Sequence, residues 1–135
     1  MKKDFSDLNE SVLIEDLVTH QRRFISLRQT GNGDFYLVVW MDCVPSESIN
    51  IWLWVAVDPD MAIQYVTGKM SLYQCIQMAE LLVRETQMDN GDSTWEEIPE
   101  AEQLRGNPFG ENSYITDIMD SDVDVDALVH SINDA

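Results

Sequence analysis

Two apolar runs of β-branched and aromatic residues dominate the pattern of the chain. They occupy residues 35–44 and 49–57 and are separated by a short polar break. This pattern predicts a β-hairpin with a loop of about four or five residues. Because side chains alternate between the two faces of a strand, one face of the hairpin is aliphatic and the other is aromatic. The aromatic face carries Tyr36, Trp40, Trp52 and Trp54.

Both faces of this hairpin are apolar, so we expect both to be covered. A helix is the expected cover for the aliphatic face. The aromatic face needs a cover of its own. Three candidates are possible: the chain's own C-terminal half, a second copy of the chain, or a partner. Trp and Tyr are enriched in the hot spots of protein interfaces, which favours the partner.

The segments before the hairpin extend it into a meander. Residues 21–29 alternate between apolar and polar side chains, and the turn at 30–34 contains two glycines around an asparagine, which supply the positive φ of a tight turn. A short apolar run at 11–17 favours an edge strand. We therefore expect the strands 21–29, 35–44 and 49–57 to pair in antiparallel order.

After Asp58 the period of the apolar positions changes from that of a strand to that of a helix. Asp58 is a good N-cap and Pro59 suits the first helical position. This first helix is predicted to run to about residue 67, with Gly68 as its C-terminal cap. A second, longer helix is predicted over 71–87, because its apolar residues follow helical spacing and could cover the aliphatic face.

The rest of the chain is predicted as a turn at 89–92, a short strand at 94–98, a long loop at 99–113, a strand or anchoring segment at 114–118, and a helix at 125–133 capped by Asp124. The predicted fold class is α+β. An antiparallel meander of 4–6 strands packs against one longer helix, with a short helix before it and a C-terminal helix after it. We expect one α+β domain over 1–118 and an acidic C-terminal segment over 119–135 that packs on it.

This arrangement of strands, glycine turns and helices resembles a family of small, uncharacterised bacterial and phage-associated domains of unknown function. The matching residues are 24–27, 36–38, 52–57 and 68–72. The resemblance covers about residues 12–80. It implies an α+β fold and no known chemistry, and the acidic tail lies outside it.

The net charge of −17 is the strongest indication of function in the sequence, and the charge is unevenly distributed along the chain. Residues 1–84 carry 11 acids and 7 bases, whereas residues 85–135 carry 14 acids and a single base, Arg105. Such a field repels nucleic acids and anionic membranes, because their phosphates are bound by Lys and Arg. It attracts basic protein surfaces and speeds encounter with them. The alternative is that the acidity only keeps the protein soluble.

No pattern in the chain is typical of a catalytic site. The two histidines, His20 and His130, are not next to a nucleophile elbow, and Cys43 and Cys75 lack the short spacing of a zinc site. We expect the cysteines to be buried free thiols in a reducing cytosol. The lysines near the N-terminus are not followed by an apolar run, so no signal peptide is expected, and no apolar run is long enough to cross a bilayer. The prediction is a cytoplasmic protein that is not an enzyme and carries no cofactor.

Two acidic clusters invite a chemical interpretation. The aspartates of the first, spaced like calcium-loop positions, are Asp120, Asp122, Asp124 and Asp126. The match then fails, because Val125 stands where that loop needs glycine and Ser131 where it needs a bidentate glutamate. Helix capping and a solvated acidic face explain these residues better. The second cluster, expected to be solvated as well, comprises Glu96, Glu97, Glu100 and Glu102.

Together these patterns favour a non-enzymatic binding module whose acidic half docks on a basic, nucleic-acid-binding partner. An inhibitor, antitoxin, immunity or anti-defence protein that mimics the charge of DNA would act this way, without itself binding nucleic acid or membrane. The predicted contact residues are Asp117, Asp120, Asp122, Asp124, Asp126, Glu96, Glu97, Glu100, Glu102, Trp40, Trp52 and Trp54. The alternative is a structural protein that forms a homodimer through the aromatic face. A third class, a calcium- or small-molecule-regulated domain or an unrecognised enzyme, stays open.

Overall fold

The computed structural model describes residues 5–20, 24–44, 49–98 and 114–134, with residues 42–44 described by their backbone. Within these ranges, one open antiparallel sheet has its strands in chain order. The strands are β1 (Val12–Val18), β2 (Ile25–Gln29), β3 (Phe35–Val44), β4 (Ile49–Val57), β5 (Leu82–Gln87) and β6 (Ser93–Glu97). The helices are α1 (Ser6–Asn9), α2 (Pro59–Val66), α3 (Leu72–Met78) and α4 (Val125–Asn133), with a 3-10 turn at Ile115–Asp117. The predicted α+β fold with an antiparallel meander sheet is confirmed.

The central hairpin has the predicted bounds, and its register explains both apolar faces. Val39 pairs with Leu53 on the aliphatic side, and Trp40 pairs with Trp52 on the aromatic side. The register shifts by one residue after Trp40, which is a β-bulge. Strict alternation between the two faces therefore ends at the bulge. Counting by two from Trp40 does not assign residues 42–44 to a face.

The aliphatic face of the sheet forms the main core with α2, α3 and α4. The central strands contribute side chains with no exposed surface, such as Leu37, Val39 and Val55. From the helices, Tyr65 of α2 and Leu72 of α3 are both 1% exposed. Burial of side chains of this size contributes about 1.5–3 kcal/mol each relative to exposure, so this layer provides most of the driving force for folding.

The helix predicted over 71–87 is wrong in its second half. Helix α3 ends at Met78, Ala79 is extended with φ −65° and ψ 134°, and the chain continues as β5. In β5, Leu82 lies in the main core while Val83 lies in the cluster on the aromatic face. Adjacent apolar residues such as Leu82 and Val83 are compatible with a strand that is covered on both faces and also with the apolar stripe of a helix. Pairing with the otherwise open edge of β4 decided between them.

The predicted helix starts are confirmed by their caps. Asp58 accepts a hydrogen bond from the backbone N–H of Met61 at 2.8 Å, and Asp124 accepts one from Ala127 at 3.1 Å. Ser71 begins α3 with a reciprocal capping box. These side chains satisfy N–H groups that the first helical turn leaves without partners.

The end of α2 packs closely against the C-terminal part of the chain. Gly68 follows α2 with φ +79°, and an added Cβ there would lie 2.7 Å from Thr116 Cγ2. The segment 114–118 forms the 3-10 turn and not a strand, and Ile115, 1% exposed, anchors it in the core. The predicted short strand at 94–98 is β6, and the strand at 11–17 is β1. The loop predicted at 99–113 and the start of the strand predicted at 21–29 lie outside the described residues.

Candidate functional site

The aromatic face of the sheet is covered only in part. Helix α1 packs on it through Leu8, 3% exposed, and buries Tyr36 and Trp54. Trp52 and Trp40 are half-buried. Helix α4 packs on the opposite, aliphatic face, so the expected cover by the C-terminal half is not found among the described residues. Part of the aromatic face is thus core, and part is surface.

Hydrogen bonds within the sheet fix the three central indole rings. Each indole N–H donates to a side-chain oxygen on the next strand: Trp40 to Asn50 at 3.1 Å, Trp52 to Gln87 at 3.1 Å, and Trp54 to Glu85 at 2.9 Å. Buried indoles usually find such a partner. Because these donors are already satisfied, the rings present mainly their apolar surface and their π-faces.

The rings also contact one another. Trp54 packs edge-on against Trp95, with centroids 5.3 Å apart. Phe24 packs against Trp40 at 6.5 Å and against Trp52 at 6.4 Å. Phe24 is 38% exposed, so this second group of rings reaches the surface. Edge-to-face pairs of this kind stabilise by about 0.5–1.5 kcal/mol each beyond their burial.

A cavity of about 340 Å³ opens on the aromatic face beside α1, and we call it the groove. One end is lined by Trp52, Trp95 and Glu85, and the other by Asp16 and Arg28. Three strand spacings separate β2, which carries Arg28, from β5, which carries Glu85, or roughly 14 Å. The groove therefore has an acidic, aromatic end and a distant end where an acid and a base lie on neighbouring strands.

Glu85 is the residue of this site that sequence reasoning missed. It is only 8% exposed and accepts hydrogen bonds from the Trp54 indole N–H and from the Ser93 hydroxyl. The register places Glu85 directly between Trp52 and Trp95 on the two flanking strands. The helix predicted over 71–87 concealed this placement. Alternation in residues 82–86, where Val83 and Glu85 share a face, was the signal that could have revealed it.

Arg28 at the other end of the groove is committed to the fold. Its Nε donates to Ser11 Oγ at 2.9 Å, and its Nη2 donates to the Ser11 carbonyl at 2.8 Å. These bonds join β2 to the connection between α1 and β1. The guanidinium thus holds α1 over the aromatic face, and its hydrogen bonds keep it away from the Glu85 end.

Asp120, predicted as a partner contact, acts within the structure. Its carboxylate accepts hydrogen bonds from the Thr19 N–H at 3.2 Å and from the Thr19 hydroxyl, and it lies 2.7 Å from His20 Nδ1. We call these contacts the Asp120 clip. The Thr19 hydroxyl, followed by the His20 contact, holds the pKa of Asp120 below its usual range. The clip ties the C-terminal segment to the end of β1, so this carboxylate is not free for a partner.

The other predicted acids are not gathered in one place. Asp124 caps α4, whereas Asp117, Asp122 and Asp126 are exposed and pair with no described base. On β6, Glu96 pairs with Arg84 and Glu97 is exposed. Glu100 and Glu102 lie outside the described residues. The clip holds Asp120 at β1, which is five strand spacings, roughly 24 Å, from β6, so Asp120 and Glu96 stand at opposite edges of the sheet.

The C-terminal aspartates and the tryptophans lie on different sides of the sheet, whereas Glu97 pairs with Val83 and shares the aromatic face. Helix α4, which carries Asp126, packs on the aliphatic face through Leu128 and Ile132. The tryptophans Trp52 and Trp54 belong to the aromatic face. One flat contact therefore cannot include both the C-terminal aspartates and the tryptophans.

Metal and thiol chemistry have little support in the described part of the chain. Within it, no three His, Cys, Asp or Glu side chains are grouped to hold a metal ion. Cys75 is a buried free thiol as predicted, and burial raises its pKa to about 12. The side chain of Cys43 is outside the described set. His130 is exposed and lies 3.1 Å from Asp134 on the surface.

The fold and site define an α+β protein with a partly open aromatic sheet face and acidic edges. Comparisons with protein-family models, with curated proteins and with solved structures found no match for this chain. The resemblance to small bacterial and phage-associated domains therefore stays a prediction. Among the described residues, no helix is long and apolar enough to cross a membrane.

Proposed function

We propose that this protein is a non-enzymatic module that binds a basic protein and regulates or inhibits it. The partner class is a nucleic-acid-binding protein, whose phosphate-binding surface would recognise acidic side chains in place of DNA. An antitoxin, immunity or anti-defence protein would have this role. The charge of −17 supports a protein partner, because a chain so acidic repels nucleic acid itself.

The observation that carries this proposal is the lack of compensating bases on the described surface. Arg28 donates hydrogen bonds to Ser11, and Arg84 forms an ion pair with Glu96. Among the exposed Lys and Arg side chains of the described residues, only Lys69 lacks a described acidic partner. Asp117, Asp122 and Asp126 thus form no ion pair with a described base. Isolated surface ion pairs contribute little to stability, but an uncompensated field steers a basic partner over several ångströms.

The two groups of predicted contacts have different roles in this proposal. The exposed aspartates near α4 accelerate encounter, because charges act over about one Debye length, roughly 8–10 Å at physiological salt. The aromatic face supplies the short-range contact that slows dissociation, since buried aromatic residues dominate interface hot spots. This division accounts for the placement of the C-terminal aspartates and the tryptophans on opposite sides of the sheet.

The alternative of a homodimer is favoured by one observation. Phe24 is 38% exposed beside the half-buried Trp40 and Trp52, and a second copy could cover all three rings. Two chains of charge −17 repel each other, which opposes this dimer at low salt. A dimer that forms only as salt is raised would support the alternative, because salt screens that repulsion.

The test begins with the immobilised full-length protein and a cell lysate, washed at low and at high salt. We expect a basic nucleic-acid-binding protein that is released by salt. Association and dissociation rates are then measured with the purified partner. We expect the triple variant Asp117→Asn, Asp122→Asn and Asp126→Asn to slow association and flatten its salt dependence, with dissociation nearly unchanged.

A matched triple variant controls for net charge. Glu10→Gln, Glu80→Gln and Asp89→Asn remove the same charge from exposed positions elsewhere. If both triple variants slow association equally, the C-terminal aspartates have no special role. A partner whose binding is indifferent to salt, or the absence of any basic partner, would contradict the proposed function.

A further inference from the structure

The acidic end of the groove combines three features that rarely coincide at a surface. Glu85 is almost buried, its two described hydrogen-bond donors are the neutral Trp54 indole and Ser93 hydroxyl, and no base pairs with it among the described residues. Aromatic rings flank it on both neighbouring strands. A low-dielectric site with an uncompensated carboxylate favours a cation, because a desolvated charge needs an opposite charge nearby.

The groove reaches Glu85 between two tryptophans on the neighbouring strands. Trp52 and Trp95 are the direct neighbours of Glu85, so their backbones stand two strand spacings apart, about 9.6 Å. Trp52 packs against Phe24, whereas Trp95 packs against Trp54, whose indole N–H donates to Glu85. The indole N–H of Trp52 is also satisfied by Gln87. Trp52 and Trp95 line the groove together with Glu85, and no contact between these two rings is found among the described residues.

We propose that this end of the groove receives an arginine side chain of the basic partner. The inference rests on the proposed function and names the contact that would anchor it. A guanidinium is planar and stacks on aromatic rings, and its fork of N–H donors matches a carboxylate. It is also more weakly hydrated than the ammonium of lysine, so it enters an aromatic site more readily.

The charges around the groove fit this occupant. Glu85 offers lone pairs beyond the two that its described donors use, since a carboxylate accepts up to about four hydrogen bonds. Arg28 lies roughly 14 Å away across the strands and is held by Ser11, and Asp16 lies on the strand beside it. A guanidinium at the Glu85 end is thus attracted by a near carboxylate and separated from Arg28, the base that lines the groove, by more than a Debye length. Arg84, the neighbour of Glu85 in sequence, is paired with Glu96.

The test uses the full-length protein and capped Gly-Arg-Gly, Gly-Lys-Gly and Gly-citrulline-Gly peptides as probes. The four tryptophans give four indole N–H signals in NMR spectra. We expect the arginine peptide to shift the signals of Trp52, Trp54 and Trp95, which line the groove, and to leave that of Trp40, which does not. Citrulline has the same shape without the charge, and we expect its peptide to bind at least tenfold more weakly.

Two variants test the residues named. Glu85→Gln keeps an acceptor for the Trp54 indole but removes the charge, and Trp95→Leu removes one wall. We expect each to weaken binding of the arginine peptide about tenfold. Tyr73→Leu replaces an aromatic ring on α3, which packs on the opposite face of the sheet, and is expected to leave the affinity within about twofold of wild type. The circular dichroism of each variant establishes that it is folded.

Several results would overturn the assignment: equal binding of the citrulline peptide, equal binding of the lysine peptide, or wild-type affinity in Glu85→Gln. Shifts of the Trp40 signal as large as the others would also do so, because they indicate nonspecific association. The partner complex separates this inference from the proposed function. The triple aspartate variant could slow association of the partner while Glu85→Gln and Trp95→Leu leave its dissociation unchanged. That result would support the proposed function and contradict the arginine site.

Discussion

Replacing Gly68 by alanine tests how tightly the end of α2 packs on the C-terminal segment. Gly68 has φ +79°, where a residue with a Cβ is strained by about 1–2 kcal/mol. The new Cβ would also lie 2.7 Å from Thr116 Cγ2 and 2.9 Å from Thr116 Oγ1. Thr116 is exposed and can rotate, at a cost of about 0.5–1.5 kcal/mol for leaving its rotamer. We expect a total loss of roughly 2–3 kcal/mol in the free energy of unfolding.

Gly33 separates the two contributions. It has a comparable φ of +91°, but an added Cβ there meets nothing within 4 Å. Gly33→Ala therefore reports the backbone strain alone, about 1–2 kcal/mol. The excess of Gly68→Ala over Gly33→Ala measures the contact with Thr116. Adding Thr116→Ala removes both of the closest atoms and should recover most of that excess.

The assay is urea unfolding followed by tryptophan fluorescence, with the slope m compared between variants to check that the unfolded and native surfaces are unchanged. Equal losses for Gly68→Ala and Gly33→Ala, within about 0.3–0.5 kcal/mol, would refute the packing argument. So would a double variant with Thr116→Ala that recovers nothing. Either result would mean that the turn shifts away from Thr116 at no cost.

Two further predictions follow from the titratable groups. Because the folded state lowers the pKa of Asp120, its contribution to stability is present above the unfolded pKa, about 3.9, and is lost as the pH falls through the folded value. The difference in unfolding free energy between wild type and Asp120→Asn should therefore be largest near neutral pH and shrink in acid; a constant difference would contradict the clip. For Cys75, burial and a pKa of about 12 predict no alkylation by iodoacetamide at pH 8 in the native protein and rapid alkylation in urea, as mapped by mass spectrometry. Fast native labelling of Cys75 would show that this part of the core opens readily.

The central hairpin could be predicted to its end residues because its pattern admits one interpretation. Residues 35–44 and 49–57 are apolar on both faces, β-branched and aromatic, and too short for buried helices with this composition. The helix starts at Asp58, Ser71 and Asp124 could also be predicted, since a cap is a local interaction over three residues. Local chemistry sufficed in both cases.

The site required knowledge of distant pairing, which one sequence does not supply. Residues 82–87 carry both helical and strand spacing, and only the partner strand β4 decides that they form β5. Glu85 then faces the tryptophans for the same reason. The Asp120 clip joins residues about a hundred positions apart, so the spacing of the aspartates could suggest a calcium loop or a cap but not this contact.

The order of the sheet has a consequence for how the chain folds. Each strand pairs with its neighbour in sequence, and the longest detour, between β4 and β5, is filled by two helices. Closing such short loops costs little entropy, so the hairpins can add one after another as the chain emerges from the ribosome. The Asp120 clip instead spans from β1 to the C-terminal segment and forms only when residue 120 has been made. We therefore expect folding by sequential strand addition, with the Asp120 clip formed last.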